Sequence, residues 1–132
     1  MTTLAELKET SKRHVDVIAE ATRQCVISPG AGQVATYQEK AEQAIDFASA
    51  GYPINELSNY PFIEAEVEAL GKTAQEVADG ILAARSLWIG VAANIEKIRL
   101  GAKKNIDDAV DASAVHAAVS SATQLFHTII TQ

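Results

Sequence analysis

The sequence predicts an all-α protein, an elongated helical bundle or helical hairpin built around one long heptad-patterned helix and assembled as an oligomeric coiled coil. Three observations carry this. Apolar residues recur at three- and four-residue spacing along most of the 132 residues, the period of a helix face. No β-type alternation of useful length occurs, and no Asn-Gly or Asp-Gly turn separates two β-branched runs. Hydrophobic residues make up 48% of the chain but aromatics only 5%, so the core must be built from alanine and aliphatic side chains, which favour helices.

Thr3-Leu4-Ala5-Glu6 fits a capping box and should open the first helix. Its stripe is Leu4, Leu7, Ser11, Val15, Ile18, Thr22 and Cys25, with Lys8, Lys12, Arg13 and Glu20 on the other face, and it should end near Val26. Ser28-Pro29-Gly30-Ala31-Gly32 reads as the reversal, with at least one of Gly30 and Gly32 at positive φ. Val34, Tyr37, Ala41, Ile45 and Ala48 mark a second helix over about 33–50. Gly51-Tyr52-Pro53 and Asn59-Tyr60-Pro61 bracket an irregular connector. Pro61 suits a first helical turn, where its missing N–H has no role, so Phe62 to Leu70 should be short and helical, with Glu64, Glu66 and Glu68 toward the positive dipole end and Gly71 as an αL cap.

A second capping box, Thr73-Ala74-Gln75-Glu76, opens the longest periodic segment. Val77, Ile81, Ala84, Trp88, Val91, Ile95, Ile98 and Ala102 alternate steps of four and three, the 3.5-residue period of a heptad seam. Gly80, Gly90 and Gly101 weaken this helix by roughly 1 kcal/mol each unless close packing needs them. Carried to about Val110 the helix would be roughly 55 Å long, which calls for partners along its length. Asp111-Ala112-Ser113 then offers caps, and Val115, Val119, Ala122, Phe126 and Ile129 resume the alternation in a final helix. The organisation expected is a single structural unit in two parts, 1–70 with the N-terminal helices and connector, and 71–132 with the long and C-terminal helices.

Composition excludes several classes of function. Seventeen acidic residues against eleven basic ones give a net charge of −6, the wrong sign for a phosphate backbone, so nucleic acid is not an expected partner. No apolar run approaches the ~18 residues of a membrane span, and no signal-peptide hydrophobic region opens the chain, so a soluble protein made in the cytoplasm is expected. Cys25 stands alone, with no disulfide partner, thiol cluster or activating base, and is expected to be a small buried hydrophobe. His116 and His127 lie three helical turns apart and neither they nor His14 has ligand spacing. Gly30-Ala31-Gly32 lacks the Gly-Lys-Ser/Thr ending of a phosphate loop, and Glu39, Glu42 and Asp46 at helical spacing read as a solvated face. No catalytic group, metal or cofactor is therefore expected.

The string Ile27 to Ala44, ISPGAGQVATYQEKAEQA, resembles small proteins encoded among the tail genes of tailed bacteriophages and prophages. In that group a Gly-Gln…Thr-Tyr…Lys-Ala helix precedes an irregular Tyr-Pro…Glu-Ala-Glu stretch, matched by Tyr60 to Glu66. A Gly-Lys-Thr…Glu-Val-Ala cap and a long Ile-Glu…Ile-Arg…Ala-Lys helix follow, matched by Gly71 to Ala78 and Ile95 to Lys103. The resemblance spans about Leu4 to Val115 and implies a non-enzymatic virion component in the tail, passing through the host cytoplasm during assembly, or else a fibre-assembly chaperone absent from the mature particle. It implies as partners other copies of the chain, a trimer by analogy with tail fibres, and a fibre or baseplate subunit. The candidate contact residues are Tyr52, Tyr60 and Phe62 in the connector, Val77, Ile81, Trp88, Val91, Ile95 and Ile98 on the seam, and Val119 and Phe126 on the last helix.

Overall fold

A computed structural model of the chain describes residues 1–26 and 31–131, with side chains from 35 onward in the second segment. The elements are α1 (Leu4–Val26), α2 (Ala31–Ser49), a 3₁₀ segment (Ile54–Asn59), α3 (Pro61–Leu70), α4 (Ala74–Asp108) and α5 (Ala112–Ile130). The protein is all-helical, with no strand among the described residues.

The caps read from the sequence form where expected. Thr3 Oγ1 accepts the Glu6 N–H at 3.1 Å, and Thr73 Oγ1 accepts the Glu76 N–H at 3.1 Å while the Glu76 carboxylate returns to the Thr73 N–H. The Asp111 carboxylate caps α5 by accepting from the Ala114 N–H at 2.8 Å. Gly71, at φ 68°, ends α3 in the left-handed region. Gly32 departs from expectation, since it falls in the first turn of α2 rather than in a reversal. The N–H groups of a first turn have no partner inside the helix, so a glycine there interrupts little. Gly30 lies outside the described residues.

The chain forms two compact units, Met1–Ile27 with Gly90–Gln132, and Ser28–Ile89. The division falls within α4 between Ile89 and Gly90, whereas the sequence reading divided the chain at 70/71. It follows the packing, because the two ends of α4 bury their apolar stripe in different cores.

The first unit packs α1, the later part of α4 and α5 around Val15, Ala19, Ile95, Ala102, Ile106, Val115, Ala122 and Phe126. Ala19 and Ala122 let α1 and α5 approach closely, and buried Thr22 satisfies its hydroxyl on the Ile18 carbonyl at 2.8 Å. An ion-pair ladder holds α1 to α4. Lys12 meets Asp107 at 2.9 Å, Asp16 meets Arg99 at 2.9 Å and Lys103 at 3.0 Å, and Arg23 meets Glu96 at 3.7 Å. Numbers rising on α1 pair with numbers falling on α4, so the two run antiparallel. Cys25 is exposed, contrary to expectation. The core contacts of α1 reach Thr22, and the apolar stripe runs one step beyond what the fold covers.

The second unit packs α2, the 3₁₀ segment, α3 and the start of α4 around Ala41, Ala44, Phe47, Ile63, Val77, Ala78 and Ile81. Pro61 supplies no N–H, and the next one, on Phe62, donates to Gln43 Oε1 at 2.9 Å, so a side chain of α2 caps the start of α3. Lys40 pairs with Glu66 farther along, which sets α2 and α3 antiparallel.

Candidate interaction surface

The connector singled out in the sequence is organised by the end of α2. The Tyr52 N–H donates to the Phe47 carbonyl at 3.0 Å and the Gly51 N–H to the Ala48 carbonyl at 3.1 Å, the paired bonds of a Schellman end, with Gly51 at φ 82°. Such ends bring the residue after the glycine against the helix three positions before its cap. Here that pair is Tyr52 and Phe47, whose rings meet edge-on at 5.7 Å. Tyr52 itself takes φ 58°, uncommon for a bulky side chain. Its hydroxyl donates to Asp79 Oδ1 at 2.9 Å, and that carboxylate, by favouring the neutral phenol as donor, pushes the tyrosine above its ordinary range. Tyr60 packs edge-on to Phe47 at 5.0 Å from the other end of the connector. Phe47 is thus enclosed, while Tyr52, Tyr60 and Phe62 are half-buried.

The seam residues separate into three groups. Val77 and Ile81 lie in the core of the second unit and Ile95 in that of the first, with Val91 and Ile98 partly buried against the latter. The chain's own helices therefore supply the cover expected from partners at both ends of α4. Between them Ala84 is exposed, Trp88 is half-buried, and Leu87 and Ile89 are 74% and 47% exposed. On α5, Phe126 is core and Val119 is partly buried, so of the candidate contact residues these two serve their own unit. The three α4 glycines have nothing against their Cβ positions among the described residues, so close packing among those residues is not the reason for them.

Charge is divided unequally. Ser28–Ile89 holds nine acidic and three basic residues, and the rest of the chain eight of each, so the whole net charge of −6 sits in the second unit. In the first unit the charges neutralise one another. The Lys103 ammonium, then the Arg99 guanidinium, hold the Asp16 carboxyl below the usual carboxylate range, and Lys12 does the same for Asp107. Sequence reading missed this ladder. Its signal was present in Lys12 and Asp16 on one flank of the α1 stripe and Arg99, Lys103 and Asp107 on one flank of the α4 stripe, but pairing them requires the antiparallel register.

Among the described residues no group of three or more His, Cys, Asp or Glu is arranged to hold a metal ion, and no helix is long and apolar enough to cross a membrane. His14, His116 and His127 are all exposed. Comparison with protein-family models, with curated proteins and with solved structures found no match.

Proposed function

We propose that the protein is a non-enzymatic structural component of a tailed-bacteriophage virion, attached to the tail fibre or baseplate, where it joins copies of itself to other tail proteins. The observation that supports this is the middle of α4. Leu87, Trp88 and Ile89 point about 100° apart around the helix, so this turn is apolar on three sides, a pattern that belongs to buried helices. Leu87 and Ile89 are nevertheless largely open to solvent. A helix turn of this kind gains from being covered by another protein. The resemblance of Ile27 to Ala44 and of the segments after it to phage tail proteins supplies the setting.

Mass spectrometry of purified virions tests the reading. A structural subunit is retained at a fixed ratio to the fibre or baseplate protein. The second reading, a fibre-assembly chaperone, draws on the same exposed turn but requires the chain to be present in infected-cell lysates and missing from the particle.

A further inference from the structure

Among the described residues Tyr52 is the one residue other than glycine at positive φ. At 58° a bulky side chain is crowded, and Tyr52 also precedes Pro53, whose ring drives the residue before it toward extended backbone, so two local preferences are violated at one position. Such a conformation persists only where its surroundings hold it. Two contacts do so here, the ring edge-on to Phe47 at 5.7 Å and the hydroxyl that donates to Asp79 Oδ1 at 2.9 Å. The segment that Tyr52 leads is otherwise lightly held. Residues 54–59 include none that is buried, their 3₁₀ turn is broken at Glu56 (φ −122°, ψ 26°), and the segment rests on the core of its unit through half-buried Tyr52, Leu57 and Tyr60. Among the described residues the bond to Asp79 is the only hydrogen bond that a side chain of 52–60 makes.

We propose that residues 52–60 form a strap that opens and closes over Phe47 as one piece, with the strained Tyr52 and its bond to Asp79 as the latch. The structure shows the closed state, in which Phe47 is fully buried. Asp79 is exposed, so water competes for its carboxylate. Once the bond is lost, rotation of Tyr52 toward the extended backbone that Pro53 favours releases the strain and lifts its ring from Phe47. The helices underneath do not depend on the strap. Gln43 Oε1 accepts the Phe62 N–H at 2.9 Å and Lys40 pairs with Glu66, so α2 and α3 are joined directly to one another and the segment between them can leave without separating them. Opening therefore uncovers the Phe47 ring while α2, α3 and α4 stay folded. This device goes beyond the assembly role proposed above and does not rest on it.

Native-state hydrogen exchange of the full chain at neutral pH tests the proposal. The Glu56 and Tyr60 amides, bonded to the Pro53 and Leu57 carbonyls at 3.0 and 2.9 Å, report on the strap, and those of Ala44 and Val67, inside α2 and α3, report on the helices beneath it. Tyr52→Phe keeps the ring and removes the latch bond. It should speed exchange at the strap amides by about fivefold, the worth of one hydrogen bond, and leave Ala44 and Val67 unchanged. Asp79→Ala should do the same, and the double variant should be no faster than either single one, because both remove the same bond. Tyr52→Ala and Tyr52→Gly, which lose ring and bond alike, isolate the strain. Glycine takes φ 58° freely, so the strap should exchange about threefold or more faster in the alanine variant, the reverse of the usual order in which glycine loosens a chain. Strap exchange unchanged in Tyr52→Phe, equal acceleration at Ala44 and Val67, effects that add in the double variant, or a glycine variant as fast as the alanine one would each overturn the proposal.

Discussion

Replacing Phe47 by alanine empties the centre of the aromatic turn and shows how far that turn holds the acidic unit together. The side chain is fully buried and takes edge-on contacts from Tyr52 and Tyr60 at 5.7 and 5.0 Å. Truncating a buried phenylalanine costs about 3–5 kcal/mol, and the two ring pairs, each contributing about 0.5–1.5 kcal/mol beyond area, place Phe47 in the upper part of that range. Against a total stability of about 5–15 kcal/mol this is a large fraction. The single tryptophan, Trp88, lies in the same unit, so urea unfolding followed by its fluorescence reads the effect where it occurs. Phe47→Leu, which keeps most of the volume, should cost about 1–2 kcal/mol. A loss below about 1 kcal/mol for Phe47→Ala would refute the reasoning, since it would mean that the connector does not close over the ring.

Ile95→Asp places a carboxylate at a fully buried position of the other core and should cost several kcal/mol, read as a lowered thermal midpoint; an unchanged melt would remove Ile95 from the core. Two glycine substitutions should have opposite signs: Gly71→Ala, at φ 68°, should destabilise by about 1 kcal/mol, and Gly90→Ala, helical and facing open space, should stabilise by up to about 1 kcal/mol, both by chemical denaturation. The pH dependence of unfolding should carry the mark of Asp16. Its folded pKa lies below the unfolded value of about 3.9, so its contribution is present above that pH and is lost as pH falls through the folded value. Half-exposed, the pairs supply on the order of 0.5 kcal/mol each, and Asp16→Asn should be less stable near neutrality yet converge with the parent at the acid end.

The helices were legible because their signals are local. The Thr3 cap, the reciprocal Thr73–Glu76 box, the Asp111 cap and the Gly71 stop lie within a few residues of the backbone they satisfy and form where they were read, although the Glu6 half of the first box has no bond back to Thr3. The stripes of α1 and α4 were legible as stripes, but their cover was not. An apolar seam specifies only that something covers it, and whether that is another copy or the chain's own α1, α2, α3 and α5 depends on where the chain turns. Ile95 and Phe126 therefore looked like contact residues and are core. Ile106, fully buried, continues the seam one step of four beyond Ala102 and was readable from spacing alone. The asymmetry of charge needs the boundary between Ile89 and Gly90 before it can be counted.

Hydrogen exchange on the isolated protein and on the same chain within purified tails tests most directly the claim that an exposed apolar helix turn is an assembly surface. Amides over 84–89 of α4 should exchange measurably more slowly in the tail, with little change beside Phe47 and Ile106, whose cores are already closed in the free chain. A chain that is absent from the tails, or present with exchange over 84–89 unaltered, would contradict the claim.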